Sequence, residues 1–361
     1  MIVCHITTVH TKDDNRIFYK ECVTLYNHGF NVCLIVAGEE DHIFKGLRIF
    51  GLKKQNNRFL RFFKTSIIDV LKTSRKVNAD IYHFHDPELI IAGIILKIFG
   101  NKVIYDIHEN NSASLLTKPY LKSKVVRYFL ASSVRYIEKL SISFFDAIIT
   151  ARPDISEVFD HNKMITLRNF PILENSCRKR ELNTKEGKRS VIYVGGLSQI
   201  RGIEVLIDAF NDMPEYILYL LGPIKEKMIK NKIDTSNSNV KYLGCVEPFQ
   251  VFKHIYKADI GIVTFLNVPN HIKTLATKPF EYMACGKPMI MSDFDYWKET
   301  FKESSLYVNP LDKNEIINAT KELMTNHELF NKMSKLNARL SNTKYNWNSE
   351  SKKLINLYNN L

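Results

Sequence analysis

The 361 residues suffice for two domains of ordinary size, and 45% apolar with 25% charged residues is the balance of a globular chain, not of a disordered or fibrous one. No apolar run approaches the ~18 residues of a membrane-spanning helix. The six dispersed cysteines contain no Cys-x-x-Cys pair, which argues against both a zinc site of that kind and a disulfide framework. The formal charge of +13 is concentrated in two segments, 53–76 and 118–139.

Met1–Ile6 reads as a first strand and lacks the basic start and long apolar core of a secretion signal, so a cytoplasmic protein with reduced thiols is expected. Strands are predicted at Ile2–Thr7, Asn31–Val36, Ile81–Phe84, Lys102–Tyr105 and Ala147–Thr150. Helical patterns lie between them, at roughly 15–28, 58–76, 88–99 and 120–143. A second series runs Val191–Val194, Tyr216–Leu221, Val240–Leu243, Ile260–Val263, Pro288–Met291 and Ser305–Val308. The stretch Ile172–Arg189 between the series is rich in charge and poor in apolar residues, as a linker is. Alternation of this kind predicts an α/β protein of two doubly wound, Rossmann-like domains facing across a cleft. Ligands of such sheets sit beyond the carboxyl ends of the strands.

In the first domain the loop Thr8–Asn15 holds no glycine, so a dinucleotide fingerprint is absent. Arg16 is expected at the start of the first helix, either facing the cleft or in a structural salt bridge. One strand ends in His83-Phe84-His85-Asp86-Pro87 and the next in Tyr105-Asp106-Ile107-His108-Glu109, so two strands deliver histidine and acid to one rim. No metal site is assigned, because no third ligand is fixed by spacing.

In the second domain a strand runs into Gly195-Gly196-Leu197-Ser198-Gln199-Ile200-Arg201-Gly202. Paired glycines leave amides open to an anion, and Arg201 can grip a diphosphate. A plain turn with a solvated arginine is the alternative. Further on, Lys278 and Glu281 share a helix face, with Pro279 in the first turn. The lysine suits a phosphate and the glutamate a ribose diol; the alternative is a surface ion pair.

On a helical wheel Arg58, Arg61, Lys64, Lys72, Arg75 and Lys76 cluster opposite Phe59, Phe63, Ile67, Val70 and Leu71. Lys124, Arg127, Arg135 and Lys139 likewise oppose Val126, Phe129, Leu130 and Ile137. Either these are ordinary surface helices or their basic faces meet anionic lipid, each cation contributing ~1 kcal/mol.

Taken together, Asp14–Glu21, His83–Pro87, Tyr105–Glu109, Arg168-Asn169-Phe170-Pro171, the Gly195–Gly202 turn and Lys278–Pro288 give the chain a family resemblance along its whole length. It resembles the retaining nucleotide-sugar glycosyltransferases of the GT-B fold, in the family-four-like group that builds bacterial surface polysaccharides such as O-antigen and capsule. The resemblance implies an acceptor-binding domain over 1–172, a nucleotide-sugar domain over 173–344, and a helix at 345–361 packing back on the first domain. It implies that Glu281 binds the ribose and Lys278 and Arg201 the diphosphate. Gly195, Gly196 and the backbone of Leu275, Ala276 and Thr277 would approach the donor. His85 and His108 would contact the donor sugar or the acceptor hydroxyl, with Arg16, His83, Asp86 and Glu109 lining the acceptor side. Two positions depart from the family pattern: Lys273 stands where a first glutamate is usual, and Gly196 replaces a basic residue.

The expected reaction moves a sugar from a UDP- or GDP-sugar to a hydroxyl of a lipid-linked glycan with retention. No metal cofactor is expected, since cations and amides would stabilise the departing diphosphate and no Asp-x-Asp marks a cleft loop. The expected partners are the nucleotide-sugar, a polyprenyl-diphosphate-linked acceptor and an anionic membrane surface, with the protein peripheral on the inner face of the plasma membrane. Alternatives are a nucleotide-sugar 2-epimerase and a non-catalytic basic binding protein. Nucleic acid is not an expected partner, because aromatic residues are not interleaved with the basic ones on a strand platform.

Overall fold

The structure, a computed structural model, describes residues 1–116, 123–159, 162–173, 189–272 and 274–361. The side chains of residues 58, 113, 114, 116, 248, 249, 269 and 270 also lie outside the description. Lys273, Lys118, Lys122, Cys177 and most of the expected linker therefore fall outside the described residues. The chain divides into two compact units, Met1–Asn169 with Glu350–Leu361, and Phe170–Ser349.

The first unit opens with β1 (Ile2–Thr7), then a π-helical segment Asn15–Cys22 that continues as α1 (Val23–Asn27). It proceeds through β2 (Asn31–Ala37), β3 (His42–Phe44), β4 (Leu47–Leu52) and α2 (Arg58–Leu60), with a second π-helical stretch Arg61–Asp69 leading into α3 (Val70–Val77). Then come β5 (Ile81–Phe84), α4 (Ile90–Ile98), β6 (Lys102–Ile107), α5 (Asn111–Leu116), α6 (Lys124–Ile142), β7 (Ala147–Thr150), α7 (Pro153–Phe159) and β8 (Met164–Thr166). The eight strands form one sheet in the order β3-β4-β2-β1-β5-β6-β7-β8. All pairs are parallel except β3 with β4. That antiparallel hairpin lies at an edge and is absent from the sequence expectation, as is β8. One sheet face packs Cys4, Ile6, Tyr82, Phe84 and Tyr105 into an apolar core with Leu96 and Phe145.

The second unit contains β9 (Ser190–Val194), α8 (Ile203–Asn211), β10 (Ile217–Leu221), α9 (Lys227–Asp234), β11 (Val240–Tyr242) and α10 (Pro248–Lys257). After these come β12 (Ile260–Val263), α11 (Pro269–Ile272), α12 (Lys278–Ala284), β13 (Met289–Ser292), α13 (Asp295–Phe301), β14 (Leu306–Val308), α14 (Lys313–Thr325) and α15 (His327–Thr343). Its sheet is parallel throughout, in the order β11-β10-β9-β12-β13-β14. Strands this apolar are buried on both faces, which requires helices on both sides. A final helix, α16 (Trp347–Asn359), contributes Glu350 onward to the first unit.

Each sheet winds outward in two directions from its centre. The reversal falls between β1 and β5 in the first unit and between β9 and β12 in the second. Loops leaving these strands diverge there, which opens the crevice that α/β sheets use for ligands.

Candidate active site

At the reversal of the first sheet, β1 and β5 pair His5 with His83 in register. The rings stack with His85 into a buried layer, the His5–His83 centroids lying 4.5 Å apart and His83–His85 the same. His5 Nδ1 lies 3.0 Å from His85 Nε2. Asp106 Oδ2 accepts from His108 Nε2 at 3.0 Å, and His85 Nδ1 sits 3.4 Å from the same oxygen. Arg16 closes the layer: its Nε and Nη2 donate to the two Asp106 oxygens at 2.9 Å, and Nη1 donates to the Leu167 carbonyl at 2.8 Å.

Electrostatics follow from this geometry. Burial alone would raise the Asp106 carboxyl, but Arg16 and His108 outweigh it and hold the group well below the usual carboxylate range. Glu21, equally buried, loses that competition: burial, then the Asp106 charge, pushes it well up. Burial lowers His5 and His83 and brings His85 down to about 4. The layer at neutral pH therefore holds one ion pair, Arg16–Asp106, among neutral imidazoles. With Asp106 ionised, the hydrogen bond places a proton on His108 Nε2. Asp106 thus orients His108, a partly exposed member of the group.

These contacts correct several expectations. Arg16 is buried and fully engaged, so it is the structural salt bridge and not a cleft side chain. His83 is sealed at 0% exposure, its Nδ1 2.8 Å from the Tyr358 hydroxyl of α16. Asp86 is also buried; its Oδ2 accepts from Thr7 Oγ1 at 2.9 Å and from the amides of Thr8 at 2.6 Å and Val9 at 3.2 Å. It shapes the β1 loop from below. His85 is 2% exposed, its Nδ1 3.2 Å from His108 Nε2. Glu109 is exposed. The rim gains a residue that spacing did not single out: His10, whose ring lies 5.2 Å from that of His108. Its hydrogen bond with Asp14 raises its pKa. His5, whose signal was its register with His83, was missed as well.

Two donor sets in this layer have the composition of a metal site, His5/Glu21/His83/His85 and His85/Asp106/His108. The Arg16 guanidinium lies 3.1 Å from Glu21 and 2.9 Å from Asp106, so a cation already stands beside both acids.

In the second unit β9 ends in Gly195 at φ +143°. A Cβ there would lie 2.9 Å from Arg201 Nη1, so the bare backbone lets the guanidinium fold over the turn. Arg201 also stacks on Phe265, 5.1 Å from the ring centroid. Gly196 is crossed by another cation. The Cε of Lys225 comes within 3.4 Å of where its Cβ would stand, and the Lys225 amide is tied to the Leu197 carbonyl at 2.9 Å. Sequence spacing gave no sign of Lys225, which arrives from the loop after β10.

α12 is anchored to the same sheet end. The Tyr282 hydroxyl accepts from the Val194 amide at 3.1 Å, and Gly261 on β12 leaves room for its ring. Trp297 Nε1 donates to the Thr274 carbonyl at 2.7 Å and fixes the approach to the helix. Leu275 and Ala276 pack against the core, and Thr277 is exposed. Lys278 Nζ donates to both Glu281 oxygens, at 2.7 and 2.8 Å, so the pair forms the intrahelical ion pair of the alternative reading. Both side chains are partly exposed, and either is open to exchange this partner for a ligand.

Of the cations assigned to the membrane, Arg61 is clamped on Glu88 at 2.9–3.1 Å and Lys64 pairs with Asp69 at 3.2 Å. The Arg58 side chain lies outside the described residues. Arg135 is exposed and Arg127 half-buried.

Residues 188–326 match the family described as glycosyl transferases group 1. An uncharacterised glycosyltransferase of Methanocaldococcus jannaschii is 25% identical over 270 residues, 73% of this chain and 70% of that one. The O-antigen chain mannosyltransferase RfbU of Salmonella typhimurium is 22% identical over 289 residues, 72% and 76% of the two chains. Among solved structures, sucrose-phosphate synthase of Thermosynechococcus elongatus superposes with a TM-score of 0.77 at 17% identity, covering 100% of this chain and 98% of that one. Anabaena HepE in complex with UDP and glucose gives 0.70 at 13%, covering 99% of each. The chain has the GT-B fold, and over 188–326 it is similar to the group 1 glycosyl transferases, which supports a GT-B glycosyltransferase.

Proposed function

We propose that the protein transfers a hexosyl or N-acetylhexosaminyl group, with retention, from a UDP- or GDP-sugar to a hydroxyl of a lipid-linked glycan in surface polysaccharide synthesis. The observation that carries this reading is the gathering of Gly195, Gly196, Arg201, Lys225, Lys278 and Glu281 around the reversal of the second sheet. Three cations and bare backbone at one sheet end suit a diphosphate; one carboxylate beside them suits a ribose. On this reading Lys278 leaves Glu281 for a phosphate oxygen, and Glu281 accepts from the ribose hydroxyls.

Negative charge develops on the departing diphosphate in the transition state. Arg201, Lys225 and Lys278 would stabilise it most at that point, which is what lowers a barrier. The acceptor hydroxyl attacks the anomeric carbon, and the leaving diphosphate oxygen takes its proton. His108, oriented by Asp106, contacts the donor sugar or the acceptor. A polyprenyl-diphosphate-linked acceptor would keep the enzyme at the inner face of the plasma membrane. Relatives support the reading in kind: RfbU is named a mannosyltransferase of O-antigen chains, and HepE is a UDP complex.

Thermal-shift screening against UDP, GDP, ADP and their sugars tests the donor site. A ligand at 100 times its dissociation constant adds ~2.7 kcal/mol. Glu281→Ala should raise the donor KM roughly tenfold or more, as loss of a charged hydrogen-bond acceptor does. An unchanged KM would remove Glu281 from the ribose.

A further inference from the structure

The wheel places Val126, Phe129, Leu130 and Ile137 opposite the cations of α6. α6 meets the rest of its unit through a narrow stripe of Ala131, Glu138 and Ile142, and its apolar residues point outward. Val125 is 77% exposed, Phe129 71%, Tyr136 66% and Leu140 51%. At ~100° per residue these four fall within one arc facing away from the buried stripe. Arg135 and Lys139 are exposed on one side of that arc, and Lys124 is exposed at the start of the helix. Glu138, the one acid between 124 and 142, is turned inward, where Tyr105 and Asn111 bond it at 3.1 and 2.7 Å.

We propose that α6 is an interfacial helix that lies in the plane of an anionic bilayer, its apolar arc among the acyl chains and its basic border against the headgroups. Its 19 residues are about 28 Å long, and no helix among the described residues is long and apolar enough to cross a membrane. Paired apolar and basic arcs without an exposed acid are what such a surface selects. Tyr128, which lies between Arg135 and Lys139 on the wheel and is exposed, is a residue type that settles at headgroup depth. A second copy is the worse partner, because a two-fold contact through this face would bring like charges together between two molecules of charge +13. This inference concerns where the protein sits and holds whatever sugar is transferred.

The full chain is sedimented with vesicles of phosphatidylcholine, alone and mixed with phosphatidylglycerol. Binding to the mixed vesicles is expected, weakened by salt but not abolished, since the apolar contribution is not screened. Phe129→Ser combined with Leu140→Ser should cut partitioning at least about tenfold while the melting temperature stays unchanged, both sites being exposed. In Phe129→Trp the new indole should shift its emission to the blue on vesicles, whereas the buried Trp297 and Trp347 report no change. Failure of the wild type to sediment, or binding unaffected by the double substitution, overturns the proposal. A dimer that the same two substitutions dissociate would assign the face to a second copy instead.

Discussion

Gly196 and Lys225, 29 positions apart in sequence, lie against each other. At the position where the family resemblance leads one to expect a second basic residue beside Arg201, this chain has Gly196, and a lysine from the next crossover lies over its bare backbone. If Lys225 replaces that charge, Lys225→Ala should raise the donor KM about tenfold, the effect of losing a charge-assisted hydrogen bond. Gly196→Arg should restore most of the loss. Gly196 is not in the left-handed region, and its nearest neighbour is the far end of a flexible side chain, so an arginine fits. A KM unmoved by Lys225→Ala would show a lysine that merely lies nearby. Glu281 differs in kind: its partner is Lys278, so each residue neutralises the other.

At the level of elements, what decides the second site is how closely α12 can approach β12. A Cβ on Gly261 would stand 2.3 Å from the Tyr282 ring, and Tyr282 is the residue that ties the helix to β9. Gly261→Ala should therefore cost about 1–3 kcal/mol of stability by overpacking and weaken donor binding as α12 shifts; chemical denaturation and donor titration measure the two effects. Sequence reasoning reached most strands because parallel strands covered on both faces are continuous apolar runs, as Ile81–Phe84 and Ile260–Val263 are. It passed over β4, whose run is broken by Arg48 and Gly51, and the three-residue β3 and β8. Periodicity also failed to say which face of α6 is inside. It sorts polar from apolar residues, and here the inner stripe is made of a small residue, an acid and an isoleucine.

Across the whole molecule, each sheet carries its candidate site at its reversal point, and that much was legible from strand alternation alone. The contents of the sites were less so. Lys278, Glu281 and Arg201 stand out by motif, whereas Lys225 and Tyr282 acquire meaning only through contacts distant in sequence. The histidine layer was half visible: His-x-His promised two ligands at a rim, yet residues that strand registry buries serve as support. That burial has a consequence for stability. His5, His83 and His85 are kept neutral in the fold and gain protons on unfolding below their ordinary value near 6.5. Glu21 acts in the opposite sense, staying protonated when folded above pH 4.5. Three imidazoles against one carboxyl leave the unfolded chain about two protons richer between pH 4.5 and 6.5. Stability should therefore fall on acidification through this window, by up to about 3 kcal/mol per pH unit. Melting curves between pH 7 and 5 check it; a flat profile would mean that the layer is hydrated and its histidines titrate normally.

Tyr358 completes that layer from far along the chain. During synthesis, residues 170–349 are all made before the tyrosine that caps His83. Until the last helix follows, the first unit lacks the residue that closes its histidine layer. Order of translation and order of completion are thus reversed, and the unit begun first is finished last.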